Sequence, residues 1–296
     1  MKVLKFGGTS VGTPQSLRNV KMVVEGQSEP AIVVVSALGG VTDLLIKAAG
    51  SAAAGDTDGC EAALKTIEAR HADVIDALVP PERHADVEHL TQKLIDDLRA
   101  TLAQVRDAKS LEPAMQCRVV SFGEALSSMI ISHIIDGAEY CDSFRFIKTR
   151  RGADGHNVAD LELCSRLVAD QFSSFRSRVG VAPGFVATDA DSGEITNLGR
   201  GGSDFTAAIV AAAINASCLE IWTDVDGFMT ADPRTHADAR VMPHMTYAKA
   251  SQMCRDGAKV IYFPTIRPVE EKGIPLWVKN TFNPTAPGTL IDGNDD

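Results

Sequence analysis

Residues Ala31-Ile-Val-Val-Val-Ser36 form an unbroken apolar run that ends in a hydroxyl. A run of this length without polar alternation suits a strand buried on both faces, which is the setting of a parallel sheet. The segment before it supports that reading. Val3–Phe6 is a short strand candidate closed by Gly7-Gly8. Thr13-Pro14 then marks a helix start, with Thr as N-cap and Pro in the first helical position. Leu17, Val20 and Val24 recur on one helical face. Strand, helix and strand in so short a span make a βαβ unit.

The same alternation continues downstream. Residues 60–108 read as long charged helices interrupted at Pro80-Pro81, and Glu124–Ile135 as another helix. Val179–Val186, Cys218–Asp224 and Ile274–Lys279 read as strands. Asp204–Ile214 reads as an Ala-rich helix launched from Gly201-Gly202-Ser203. The expected architecture is a three-layer α/β/α sandwich around a mainly parallel central sheet. Gly50–Gly59 is the most loop-like stretch and is expected to be mobile. Internal repeats and low-complexity linkers are absent.

At 296 residues, 45% of them hydrophobic, the chain suits one large α/β domain or two lobes around a cleft. It has no apolar run of membrane-spanning length, and its N-terminus is too short in apolar residues for a signal peptide. The six cysteines form no CxxC pair and the seven histidines no HExxH. Neither a disulfide framework nor a zinc site is expected, no residue is assigned as a metal ligand, and a reducing cytoplasmic compartment follows. The net charge of −10 disfavours nucleic acid as a partner. Any anionic substrate must then be held by local cations.

Four segments carry more Gly, hydroxyl and charge than a core needs. Lys5-Phe-Gly7-Gly8-Thr-Ser-Val-Gly12 places a lysine and glycines at a strand end, suiting phosphate; a solvated lysine before a tight turn fits equally. No GxxxxGK[ST] occurs, so this is not a P-loop. Ser36-Ala-Leu-Gly-Gly-Val-Thr42-Asp43 also follows a strand, where open α/β sheets bind ligands, though a capped glycine turn explains it as well. Leu198-Gly-Arg200-Gly-Gly-Ser203-Asp204 joins three glycines and an arginine to a helix start, an anion cradle with bidentate capacity. Trp222-Thr223-Asp224-Val-Asp-Gly227, Ala231-Asp-Pro-Arg234 and Gly257-Ala-Lys259 offer groups for a ribose and phosphates, or two ordinary Asx turns.

KFGGTSVG, SALGGVTDLL, SFGEALS, LGRGGSD, WTDVDGFMTADPR and GAKV, in this order, resemble the aspartokinases of the amino acid kinase family. The resemblance runs from Met1 to about Ile291. UMP, glutamate and acetylglutamate kinases share that fold without pairing KFGGTS with GRGGSD. The stretch Val278–Ile291 resembles most the kinase part of bifunctional aspartokinase–homoserine dehydrogenases. The resemblance implies a kinase that moves the γ-phosphoryl group of ATP to the β-carboxylate of L-aspartate. Its product, 4-phospho-L-aspartate, leads to threonine, methionine and lysine. Lys5 and Lys259 would hold the transferring group, with Gly7 and Gly8 beside it, and Asp204 would organise the lysines. Ser36, Thr42, Phe185 and Ser203 would line the amino-acid site, with Arg200 on the α-carboxylate and Glu124 on the α-ammonium. Thr223, Asp224, Met229 and Arg234 would line the ATP site, with Mg²⁺ bound mainly through the phosphates.

Within one domain spanning 1–291, residues 1–203 would form the amino-acid lobe and 204–291 the nucleotide lobe. The tail 292–296 would be a linker to small regulatory domains, through which the protein would form homo-oligomers. By that reading, threonine and lysine leave this stretch's activity unchanged. Two departures stand out: Met229 replaces a frequent tyrosine, and Tyr262-Phe263-Pro264 replaces a frequent His-Pro. The rival readings are a kinase of the same fold acting on a different acid, and a non-catalytic relic. The relic would need a lost charge, yet Lys5, Arg200, Asp204 and Lys259 are all present.

Overall fold

The structure, a computed structural model, describes residues 1–152, 155–231, 235–236 and 238–294. The chain begins with β1 (Lys2–Phe6), α1 (Pro14–Glu25) and β2 (Ala31–Val35). Four helices follow without a strand between them: α2 (Val41–Ala53), α3 (Thr57–Leu78), α4 (His84–Ala108) and α5 (Pro113–Ile134). Next come β3 (Ala138–Tyr140), β4 (Lys148–Arg151), β5 (Asn157–Ala159), α6 (Leu161–Ser173), β6 (Val179–Pro183), β7 (Val186–Asp189) and β8 (Ile195–Asn197). The remainder is α7 (Gly202–Ala213), β9 (Leu219–Thr223), β10 (His244–Thr246), α8 (Tyr247–Arg255), α9 (Ile266–Glu270), β11 (Leu276–Asn280) and β12 (Thr289–Asp292).

Eight strands form one sheet in the order β10-β12-β11-β9-β1-β2-β6-β3, and β11–β12 is its antiparallel pair. β1 sits near the centre, paired in parallel with β2 on one side and β9 on the other. Its side chains alternate. Leu4 and Phe6 enter an apolar cluster with residues of α1 to α5, while Val3 enters a second cluster with residues of α6 to α9. Two cores on opposite faces make the three layers that the buried run Ala31–Val35 foretold.

α1 begins as its sequence signals. Thr13 accepts the Ser16 N–H, Ser16 Oγ accepts the Thr13 N–H, and Pro14 occupies the first turn. Several expectations need correction. Gly50–Gly59 is mostly helix: α2 runs to Ala53, and Asp56 caps α3 by accepting the Gly59 N–H. Its alanines have high helix propensity, and Ala52 is buried. α5 starts at Pro113 instead of Glu124, because residues 113–118 are exposed or half-buried and show no apolar stripe. The expected strand Val179–Val186 breaks at Gly184-Phe185, where Phe185 takes φ 66° and the chain leaves the main sheet. A second, four-stranded sheet, β5-β4-β7-β8, went unread, since its strands have three or four mostly polar residues each. Among the described residues no helix is long and apolar enough to cross a membrane. All six cysteines are unpaired.

α5 lies flush against the segment after β2 at Gly123, where a Cβ would stand 2.8 Å from the Ala37 Cβ and 3.2 Å from Leu45 Cδ1. Gly123→Val should overpack this contact and cost ~1–3 kcal/mol. Urea unfolding should show a lower midpoint at unchanged slope. A wild-type midpoint would disprove the tight contact.

Candidate active site

The chain leaves β1 towards β2 and later returns to β1's other flank as β9, so the strand order reverses at β1. Open α/β sheets bind ligands beyond the carboxyl ends of their strands at such a switch point. Lys5 is the penultimate residue of β1 and is 8% exposed. Its Nζ lies 2.7 Å from Asp204 Oδ1. Asp204 sits in the first turn of α7, where the helix dipole favours a carboxylate, and its Oδ2 accepts the Tyr262 N–H at 3.2 Å.

The glycines beside Lys5 let two loops touch. A Cβ on Gly39 would lie 2.9 Å from the Gly8 carbonyl oxygen, and one on Gly8 3.2 Å from that of Ala37. The loops after β1 and β2 therefore meet backbone to backbone. Ser36 donates its N–H to the Phe6 carbonyl, and its own carbonyl accepts the Ser127 hydroxyl. Gly123 brings the next residue of α5, Glu124, against the same loop. Glu124 is 5% exposed, and its Oε2 has no hydrogen-bond partner. Burial pushes its carboxyl up to about 8, against the opposing pull of the Ala37 N–H and Lys5.

These pieces enclose a cavity of ≈ 330 Å³. Lys5, Gly8, Ser36, Thr42, Glu124, Phe185, Arg200, Ser203 and Asp204 all line it. Arg200 is exposed, Ser203 and Asp204 are buried, and Thr42 lies in the first turn of α2. Phe185 is bulky and yet left-handed, a strained conformation of the kind that gathers at functional sites. Thr206 holds it by accepting its N–H at 3.1 Å while donating to the Gly202 carbonyl. Sequence reading missed Thr206 and Ser127, and it marked Tyr262 only as a departure from the family pattern, without a role. Ser127 stands inside the quoted SFGEALS, but the bonding atom on Ser36 is a carbonyl, which no side-chain pattern reveals.

Of the residues assigned to the nucleotide, Lys5 and Gly8 line this cavity, whereas Gly7, Thr223, Asp224, Met229 and Lys259 are not part of its lining. Gly7 stands beside Lys5, where a Cβ would lie 3.3 Å from Nζ, and donates its N–H to the Trp222 carbonyl. Thr223 ends β9 next to the end of β1, and its hydroxyl donates to Asp224 Oδ1 at 3.2 Å. Asp224 is exposed. Met229 forms an antiparallel bridge with Val241. Lys259 is exposed in the segment after α8. Arg234 lies outside the described residues. Among the described residues, the His/Cys/Asp/Glu trio spaced for a metal is Asp76, His84 and Glu88 at the α3–α4 corner, not on this sheet edge.

The amino acid kinase family matches residues 1–280. A bifunctional aspartokinase/homoserine dehydrogenase of Haemophilus influenzae is 35% identical over 99% of this chain and 37% of its own length. A chloroplastic aspartokinase 2 of Arabidopsis thaliana is 31% identical over 99% of this chain and 55% of its own. Among solved structures, E. coli aspartokinase III in complex with aspartate and ADP superposes with a TM-score of 0.87 at 28% identity, over 100% of this chain and 65% of that one. Aspartate kinase of Clostridium acetobutylicum gives 0.82 at 25% identity, over 99% and 63%. The chain thus spans between a third and two thirds of these relatives. With nearly its whole length matched, its sheet order and its glycine loops accounted for, this chain belongs to the amino acid kinase family.

Proposed function

We propose that this chain is the catalytic unit of an aspartate kinase, which transfers the γ-phosphoryl group of ATP to the β-carboxylate of L-aspartate. One observation carries the reading: a buried carboxylate oxygen without a partner, Glu124 Oε2, shares a cavity with Arg200 and Lys5. A buried polar atom is normally satisfied, so Glu124 awaits a donor from the ligand. An α-amino dicarboxylate supplies an ammonium for Glu124, an α-carboxylate for Arg200 and a second carboxylate for the Lys5 end. Likeness to aspartokinases across the whole chain supports the same substrate.

The reaction follows from charge. The attacking carboxylate is already ionised, so no strong general base is required. A carboxylate oxygen bonds to the γ-phosphorus as the bond to the β,γ-bridging oxygen breaks, giving 4-phospho-L-aspartate and ADP. The protein must bring two anions into line and neutralise the equatorial oxygens. Lys5 stands at the junction of the two half-sites, aimed by Asp204. Lys259 and Arg234 would meet the phosphates, with Thr223, Asp224 and Met229 about the rest of the nucleotide. Residues up to about 203 would form the amino-acid lobe and those after it the nucleotide lobe. Both oxygens of Asp204 are committed, to Lys5 and to Tyr262. Mg²⁺ would therefore take its ligands from the phosphates and water, and would supply charge neutralisation there. The product feeds synthesis of threonine, methionine and lysine. The unpaired cysteines suit a reducing compartment, the cytoplasm.

An ATP-dependent hydroxamate assay tests the reading. L-aspartate should give product; preference for N-acetylaspartate or an acid lacking the amino group would overturn it. Lys5→Ala should lower kcat by roughly 100- to 1,000-fold with the fold retained, as for loss of one preorganised donor. More than a tenth of wild-type activity would contradict the role of Lys5. Arg200→Ala should weaken aspartate by roughly 1.5–3 kcal/mol, the scale of a hydrogen bond to a charged group, while calorimetry finds ATP affinity little changed. An equal loss for both ligands would assign Arg200 to phosphate.

Glu124 gives a pH signature. With its carboxyl at about 8, the empty site holds a proton at pH 7. A bound ammonium favours the carboxylate, so aspartate binding at pH 7 should release about one proton and should weaken as pH falls. Calorimetry in buffers of different ionisation enthalpy reads the release. It should vanish above pH 9 and in Glu124→Gln; release persisting in that variant would point to another group.

A further inference from the structure

Tyr262 opens one of the two departures from the family pattern that the chain resembles, and the reaction as derived uses only its backbone. Its position links two segments that the cavity alone does not join. It follows Lys259 by three residues in the segment after α8. Its N–H donates to Asp204 Oδ2 at 3.2 Å, so the chain near Lys259 is tied to the acid that aims Lys5.

The ring makes a second tie. Gly201 has φ 73°, and a Cβ built there would clash with Cβ and Cγ of Tyr262, at the root of its ring. The ring thus fills the space that a side chain at 201 would occupy, directly beside Arg200. It also meets Phe205 edge-on, with centroids 6.5 Å apart. The segment is itself anchored on both sides. Ala258 donates its N–H to the Met253 carbonyl at the end of α8, and Thr265 donates its N–H to the Tyr262 carbonyl. Arg255 lies over the next ring, Phe263, at 4.9 Å from its centroid. A displacement of the Lys259 segment is therefore passed to residues 200–204 through a hydrogen bond and a ring in contact with backbone.

We propose that Tyr262 is a positioning residue that couples the nucleotide half-site to the amino-acid half-site, so that each substrate tightens the other. The proposal rests on the aspartate kinase reading. Nucleotide bound at Lys259 fixes the segment, the ring then holds the loop at Gly201, and Arg200 beside it is set for the amino acid. By reciprocity, aspartate on Arg200 tightens the nucleotide by the same factor. The phenol oxygen makes no hydrogen bond among the described residues, so the ring acts by shape alone.

The test measures the dissociation constant of aspartate with and without a non-hydrolysable ATP analogue, in wild type, Tyr262→Phe, Tyr262→Ala and Tyr262→Leu. Steady-state kinetics and thermal unfolding accompany it. The wild-type constants should differ by about tenfold, and Tyr262→Phe should match wild type. In Tyr262→Ala and Tyr262→Leu the ratio should fall to about one. Their kcat should drop roughly 10- to 100-fold, the scale of a small misplacement of reacting groups. Affinity for the analogue alone should change less than about twofold. If Tyr262→Ala does not fold, Tyr262→Leu, which keeps much of the volume, carries the measurement. A ratio that survives in the folded variants overturns the proposal, as does a wild-type ratio of one or a loss confined to melting temperature. Wild type that turns over aspartate while the variants match it sinks the coupling alone. Wild type inert towards aspartate sinks the functional reading, and the coupling with it.

Discussion

The contact between Lys5 and Asp204, 2.7 Å and nearly buried, is the constraint on which the site depends. As a source of stability such a pair is weak, because removing two charges from water costs about what their attraction returns. Its value is positional. Lys5 comes from the centre of the sheet and Asp204 from the start of α7, elements separated by two hundred residues of chain. Joining them fixes the switch point of the sheet relative to the glycine loop before α7. The Tyr262 N–H engages the other oxygen of Asp204, so the carboxylate cannot turn away from the lysine without losing a second bond. A flexible lysine is thereby held at one place before any ligand arrives.

The helix starts around that cation differ from several others in the chain. α1, α3, α6 and α8 close their first turns with the side chains of Thr13, Asp56, Asp160 and Thr246. α2 and α7, whose first residues line the cavity, instead follow left-handed glycines, Gly40 and Gly201, and have no side-chain cap. A helix without a cap leaves N–H groups that need an acceptor. Residues of the first turns of α2 and α7 line the cavity, where a carboxylate or phosphate would serve as the cap. Glycine thus contributes here by what it omits. It leaves backbone donors open, and it lets the loops after β1 and β2 approach to touching distance.

Much of this was legible in the chain, for physical reasons that differ by element. The run Ala31–Val35 could only be a strand buried on both faces, and Thr13-Pro14 could hardly be anything but a helix start, so β1, α1 and β2 followed from pattern alone. Lys5, Glu124, Arg200 and Asp204 stand in glycine-bearing motifs, and the structure brings all four to one cavity. The second sheet was illegible because its strands are too short to show alternation. The Gly50–Gly59 stretch misled because glycine and serine suggest a loop, while packing of Ala52 between α2 and α3 decides for helix. Bonds made by main-chain atoms, such as Tyr262 N–H to Asp204 and Ser127 to the Ser36 carbonyl, leave no trace in residue type. The nucleotide side is a case apart. Thr223 and Asp224 sit at a strand end beside β1, but Lys259 reaches no partner among the described residues.

The charge balance explains why the local arrangement must be so complete. The protein carries a net charge of −10, so its overall field repels anions from this cavity. Attraction therefore has to be short-ranged, and salt screens a long-range field within about 8–10 Å in any case. Lys5 in a sheltered position, Arg200 at the rim and two uncapped helix starts concentrate positive potential inside one small volume. Glu124 sets the opposite requirement. A buried carboxyl among these cations, one of whose oxygens lacks a donor, favours a ligand that brings a positive group to it. On the aspartate kinase reading proposed above, cations that attract any anion, combined with one acid that favours an ammonium, would turn general anion affinity into selection for an amino acid.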